Sequence, residues 1–210
     1  METATDLRYP VQWIDRWTLG RGQTLTVRPV LPQDAALQHD FFTRQMGKHS
    51  RYQRFMISMR ELPCRTVQYF TRIDYHDHFA LIAETFDDQG HRQVGDARFV
   101  RESGQPATAE FALAVADAWQ GRSIGRRLLQ ALASAAQAQG VRMLFGDVLR
   151  DNLPMLGLAR ASGFAVRRHP DDARLLRVSR VLQLPLPLPP ANDAAWSTPA
   201  PRERERACAL

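Results

Sequence analysis

The chain has 210 residues, of which 44% are hydrophobic and 24% charged, with a formal net charge of +6, the profile of a soluble protein with length for one good core. No apolar run approaches the roughly 20 residues of a membrane-spanning helix, and the polar, acidic segment from Met1 to Leu7 is unlike a signal peptide. The only cysteines are Cys64 and Cys208, so neither a disulfide framework nor a cysteine-based zinc site is expected, and a reducing cytoplasm fits.

In chain order, residues 11–19 and 24–30 flank Gly20-Arg-Gly22 and predict a hairpin whose glycines allow positive φ. Pro32 opens a helix carrying Leu37, Phe41 and Phe42, with Asp34 near its positive end. Helical stretches follow over residues 50–59 and 63–73. Residues 79–86 and 94–102 read as strands joined through Asp87-Asp-Gln-Gly90, a turn signal. Residues 108–115 form another strand. Residues 121–139 predict a long helix, with Ile124, Leu128 and Leu132 four apart and Gly140 stopping it. A strand over 142–149, a short helix over 153–162 and a strand pair over 164–169 and 175–182 complete the pattern. The fold class expected is α/β, a mixed and mostly antiparallel central sheet flanked by helices.

Composition divides the chain into three parts. Residues 1–22 hold an N-terminal segment and a hairpin strand joined to the core, and residues 23–187 form the main domain. From Leu184-Pro-Leu-Pro-Leu-Pro-Pro190 onward the chain turns proline-rich, then small and polar, so residues 188–210 are expected to be a disordered tail. Truncation after Leu188 is accordingly expected to leave thermal melting nearly unchanged. A large loss would show that the tail docks on the domain.

Chemistry concentrates where the strand over 108–115 runs through Gly121 and Gly125 into the long helix. A strand, a glycine loop and a helix start turn several N–H groups toward one point, where the helix dipole also favours an anion. Arg122, Arg126 and Arg127 add positive charge. The GK[ST] of a Walker loop and the three glycines of a dinucleotide fingerprint are both missing. On spacing alone, either a pyrophosphate site or an ordinary helix start fits.

Gln120-Gly-Arg-Ser-Ile-Gly125 resembles the Q/R-x-x-G-x-G/A acetyl-CoA loop of the GNAT superfamily of N-acetyltransferases. Asn152-Leu-Pro-Met-Leu-Gly-Leu-Ala-Arg-Ala-Ser-Gly-Phe164 is similar to the superfamily's later motif, an Asn opening a helix that ends in Gly-Phe. Ser50-Arg-Tyr-Gln-Arg-Phe55, Ile73-Asp-Tyr75, Ala109-Glu-Phe-Ala112 and Pro170-Asp-Asp172 extend the likeness to the catalytic domain of bacterial protein lysine acetyltransferases. The resemblance runs from about Tyr9 to Leu186 and implies acetyl-CoA as donor. It further implies that the backbone of Leu113, Ala114 and Val115 holds the thioester and pantetheine. The loop of Gln120, Gly121, Arg122, Ser123, Ile124, Gly125 and Arg126 would hold the pyrophosphate, and Asn152 the pantetheine arm. Two positions depart from the superfamily: Ser123 replaces the first loop glycine, and Ala159 stands where many members carry a tyrosine acid. A thiol of pKa about 8.5 leaves without such an acid.

Glu110 is the candidate general base. An amine acceptor such as lysine, with a pKa of about 10.4, must lose a proton before it attacks a thioester. Alternation places Ala112 and Ala114 on the face of Glu110, leaving room for a substrate. The competing reading is a carboxylate paired with one of the many arginines. Weaker candidates are His76-Asp-His78, which lacks a third ligand cluster for a metal, Tyr75 and Asp74 as acceptor-pocket residues, and Cys64, which has no activating neighbour. No metal is expected. Only Lys48 among the 28 cationic residues is a lysine, but the arginines spread along the whole chain and form no nucleic-acid motif.

The function expected is acetyl transfer from acetyl-CoA to a primary amine, in particular a protein lysine side chain, by direct attack with Glu110 as base. A small-molecule amine or a protein N-terminus as acceptor, a non-catalytic CoA-binding regulator, and an Arg-rich nucleic-acid surface stay open as alternatives.

Overall fold

The computed structural model describes residues 8–87 and 90–182, so the tail expected from residue 188 lies outside the described residues. Its strands are β1 (Asp15–Thr18), β2 (Thr24–Pro29), β3 (His78–Asp87), β4 (Gly90–Glu102), β5 (Gln105–Val115), β6 (Met143–Leu149), β7 (Ala165–Arg168) and β8 (Leu175–Val181). They form an eight-stranded sheet of order β1-β2-β3-β4-β5-β6-β8-β7. Neighbours pair antiparallel except β5 and β6, which run parallel. A parallel pair needs a long crossover, and the helix between these two strands supplies it.

Five α-helices flank the sheet: α1 (Ala35–Asp40), α2 (Lys48–Phe55), α3 (Cys64–Thr71), α4 (Ile124–Ala138) and α5 (Leu153–Ala161). The four-residue spacing of Ile124, Leu128 and Leu132 buries all three, and Leu128 packs over Gly95 of β4. Residues alternate across a strand, so Asp96 and Arg98 point to the other face, under α1 and α3. There Gln38 of α1 bonds Asp96, and the Arg98 guanidinium lies 3.8 Å from the Phe70 ring centroid. Phe42, Phe55 and Phe70 cluster on this side with centroids 5.2–6.2 Å apart.

Three departures from the sequence reading have local causes. Residues 11–13 form a 3-10 turn after Pro10 instead of strand, with Trp13 set edge-on against Phe79. The helix expected to carry Phe41 and Phe42 widens into a π-turn over Phe41–Gln45 while both rings stay fully buried. The helix expected over 50–59 begins at Lys48 and stops at Phe55, because Met56 turns left-handed at φ 60°.

Candidate active site

β5 and β6 are in register only over Thr108↔Met143, Ala109↔Leu144 and Glu110↔Phe145. β5 nevertheless runs on to Val115 and β6 to Leu149. Beyond Glu110 the edge of β5 that faces β6 therefore has no ladder partner among the described residues, and its outward amides are open to a ligand. Gly146 sits where the pairing ends: a Cβ there would lie 3.0 Å from the Phe111 carbonyl oxygen. A cavity of about 380 Å³ occupies this gap, with Leu113, Ala114 and Val115 along one wall and Met155 and Leu158 of α5 along another.

The loop from β5 into α4 closes the cavity's end. Gly121 takes φ 72°, and Ser123, the residue before α4, takes φ 63° and ψ 7°. The first return bond is Arg127 N–H to the Ser123 carbonyl at 3.1 Å. Among the described residues, the amides from Gly121 to Arg126 meet no acceptor. Free N–H groups at the positive end of a fifteen-residue helix make an anion cradle. Gln120 braces the loop by donating to the Val115 carbonyl at 3.2 Å. Opposite, Asn152 caps α5: its Oδ1 accepts from the Met155 N–H at 3.2 Å.

Glu110 stands at the cavity's other end, open to solvent within it. Among the described residues no hydrogen bond or ion pair engages its carboxylate, so the competing salt-bridge reading finds no partner. The surrounding walls desolvate the carboxyl and push its pKa up, and the Asp147 carboxylate adds to the rise. Arg54 and Arg177 pull the other way. Asp147 itself is held by a two-pronged contact to Arg177, at 2.9 and 3.0 Å, and lies 3.3 Å from His169.

Glu110, Leu113, Ala114, Val115, Gln120, Gly121, Ser123, Ile124, Gly125, Arg126 and Asn152 all line this one cavity. Arg122 does not. Its guanidinium donates to Gln23 Oε1 at 2.9 Å and stacks 4.8 Å from the Trp119 ring centroid. Arg127 likewise turns outward onto Trp17. Ala159 is fully buried, so no side chain reaches the reaction from that position. Tyr75 and Asp74 also lie away from the cavity. The Tyr75 hydroxyl donates to the Val30 carbonyl, and Asp74 accepts the amides of His76, Asp77 and His78. Reading the sequence missed Met46, Gln53, Arg54 and Asp147, which line the cavity too. A polar run in α2 gave no sign of which side chains turn inward.

A strand-edge gap thus ends at a helix start with free amides, and among the described residues the Glu110 carboxylate in the same cavity is unengaged. The acetyltransferase (GNAT) family matches residues 49–164, and the chain belongs to that family. It is an acetyl-CoA-dependent N-acetyltransferase. An acetyltransferase of Pseudomonas aeruginosa is 29% identical over 163 residues, covering 76% of this chain and 86% of its own. Acetyltransferase Pat of Mycolicibacterium smegmatis is 34% identical over 134 residues, covering 64% of this chain but only 39% of its own. The solved GNAT domain of S. lividans PAT superposes with a TM-score of 0.74 at 29% identity, over 83% of this chain and all of that one. No described helix is long and apolar enough to cross a membrane.

Proposed function

We propose that the enzyme transfers acetyl to a protein lysine side chain, with Glu110 as general base. The observation that carries the mechanism is the unpaired carboxylate of Glu110, set between the cavity walls at the end of the strand gap. Its raised pKa keeps it a better proton acceptor than an ordinary glutamate. The likeness to the Pat enzymes supports lysine as the acceptor.

In this reading the pantetheine arm lies along the free edge of Leu113 to Val115, with Asn152 opposite. The loop amides of Gly121 to Arg126 hold the pyrophosphate, joined by the side chain of Arg126. The amine nitrogen gives its proton to Glu110 and bonds to the thioester carbon, forming a tetrahedral intermediate. That intermediate collapses as the C–S bond breaks, and the thiolate leaves without a protein acid. Position and electrostatics supply most of the rate. A proteome incubated with enzyme and isotope-labelled acetyl-CoA tests the acceptor: label on lysine ε-amines supports the reading, and label confined to N-termini or small amines overturns it.

The loop assignment is tested at Ser123. A left-handed backbone costs a non-glycine residue about 1–2 kcal/mol, so Ser123→Gly is expected to stabilise the fold by about 1 kcal/mol. Acetyl-CoA affinity should change less than about threefold, because backbone amides and not the hydroxyl meet the anion. Ser123→Asp places a carboxylate among those amides and should weaken acetyl-CoA binding by more than about tenfold. If calorimetry finds wild-type affinity for Ser123→Asp, the pyrophosphate lies elsewhere.

A further inference from the structure

Arg54 is a cation on the acceptor side of the cavity with no anion assigned to it. It lies near the end of α2 and lines the cavity together with Glu110. Its Nε is sealed from solvent and has no hydrogen-bond partner. Among the described residues none of its nitrogens makes an ion pair. Asp96 is the nearby buried carboxylate, but its oxygens are taken by Arg98 at 2.9 and 2.6 Å and by Gln38 at 2.9 Å. The rings of Phe55 and Phe70, at 4.9 and 5.8 Å from the Arg54 guanidinium carbon, offer only their π-faces. Burial pushes the Arg54 pKa down to about 10, which still leaves it charged at neutral pH. Arg54 is half-buried, and a partly desolvated cation without a paired anion is costly in a resting protein and favourable for a carboxylate that docks on it.

We infer that Arg54 receives a carboxylate carried by the amine acceptor, so that the preferred acceptor is an amine with an acid group a few bonds away. Glu110 and Arg54 then present one negative and one positive charge to the same cavity, complementary to an ammonium and a carboxylate. Two sources carry that pair: a lysine beside an Asp or Glu in a protein, or a free amino acid. The protein source rests on the lysine reading above, whereas the charge complementarity does not. The cradle for the phosphates lies beyond Val115, past the end of β5, whereas Glu110 sits at the middle of that strand, so the donor's own anions are held elsewhere.

The test uses the full chain with acetyl-CoA and matched acceptors. One arm pairs lysine peptides with Glu or Gln beside the lysine; the other pairs free amino acids with their carboxamides. For wild type, kcat/KM is expected to favour the acid member by at least about tenfold in one arm. Arg54→Gln should bring that ratio to near one, with the neutral acceptor as the internal reference, because any change in Glu110 that follows the loss of the Arg54 charge acts on both acceptors alike. Arg54→Lys, which keeps the charge but not the fork, should retain part of the ratio, and melting curves of both variants check the fold. A preference confined to free amino acids overturns the lysine reading and upholds the role of Arg54. A wild-type ratio near one in both arms overturns the inference, as does a preference that survives Arg54→Gln. So does an Arg54-dependent preference for succinyl-CoA over acetyl-CoA with no acid–amide difference, which would assign the charge to the donor.

Discussion

A Glu110→Gln enzyme is expected to bind acetyl-CoA like wild type and to lose about 10²–10⁴-fold in turnover near neutral pH, the usual span for losing acid–base help. Glutamine keeps the shape of the side chain but accepts no proton. The proposed cofactor contacts begin three residues later on the free edge of β5 and use backbone groups, so affinity is spared. The pH profile carries the diagnosis. In wild type the base works ionised, and because burial and Asp147 raise its pKa, turnover should fall on acidification earlier than an ordinary glutamate would dictate. The variant should lack that acid limb. Its deficit should shrink toward pH 10, where the lysine amine is increasingly neutral on its own. Stability supplies an independent check. An acid whose folded pKa is raised contributes stability below its unfolded pKa and loses it as pH rises through the folded value. Removing the charge should therefore leave melting at neutral pH unchanged or slightly higher. A well-folded Glu110→Gln enzyme with wild-type turnover would end the general-base assignment.

Much of this architecture was legible because its elements have strong local causes. The helix α4 announces itself through Ile124, Leu128 and Leu132, and Gly140 ends the segment with φ 83°. The strands β3, β4 and β5 read as apolar runs, continuous over residues 79–83 in β3, and their hairpins fall at glycines. Where the reading slipped, tertiary packing had overridden propensity. Phe41 and Phe42 look like adjacent positions of an ordinary helix, but both rings are fully buried in a wider turn, with Phe42 packed on Phe55 and Phe70 and Phe41 on Phe42.

The site was legible to the extent that it is made of backbone. Gly121, Ser123 and the helix start lie together in sequence, and their amides converge wherever a strand runs into a helix this way. The likeness to a known acetyltransferase loop then added the ligand. Side-chain direction was another matter. Arg122, Arg126 and Arg127 are indistinguishable as sequence, yet only Arg126 lines the cavity, because Trp119 and Trp17 offer the other two aromatic faces to stack on. Gly146 and Asp147 carry no signal beyond a glycine inside a strand, which marks close backbone approach without saying to what. Arg54 reaches the cavity only because the chain folds α2 over the face of β5 that bears Glu110.

Asp96→Ala is expected to cost about 3–5 kcal/mol of folding stability, a large share of the roughly 5–15 kcal/mol that holds a domain together. Asp96 is fully buried, and its oxygens accept from Arg98 Nε at 2.9 Å, Arg98 Nη2 at 2.6 Å and Gln38 Nε2 at 2.9 Å. Truncation leaves the Arg98 guanidinium buried over Phe70 without an anion, and it orphans the Gln38 amide, whose Oε1 already lacks a partner. The direction with pH follows from the same contacts. Burial would raise the Asp96 pKa, but Arg98, Arg54 and Gln38 together outweigh it and hold the carboxyl below its ordinary range. A lowered folded pKa contributes stability above the unfolded value and loses it as pH falls through the folded one. The gap between wild type and Asp96→Ala, measured by urea unfolding, should thus be full at neutral pH and narrow on strong acidification. Replacing both partners, as Asp96→Leu with Arg98→Met, removes the charge and its counter-charge together and should cost less than the single change. The double variant also tests how the fold serves the site. Arg98 lies in register with Ala112 on the face that carries Glu110. Asp96 is the foremost charge keeping the desolvated Arg54 protonated. Losing Asp96 should therefore lower the Arg54 pKa further, and any acid preference of the acceptor should fade at a lower pH than in wild type. A single variant that unfolds at the wild-type urea midpoint would show that the buried pair is not what fixes β4 beneath α1 and α3.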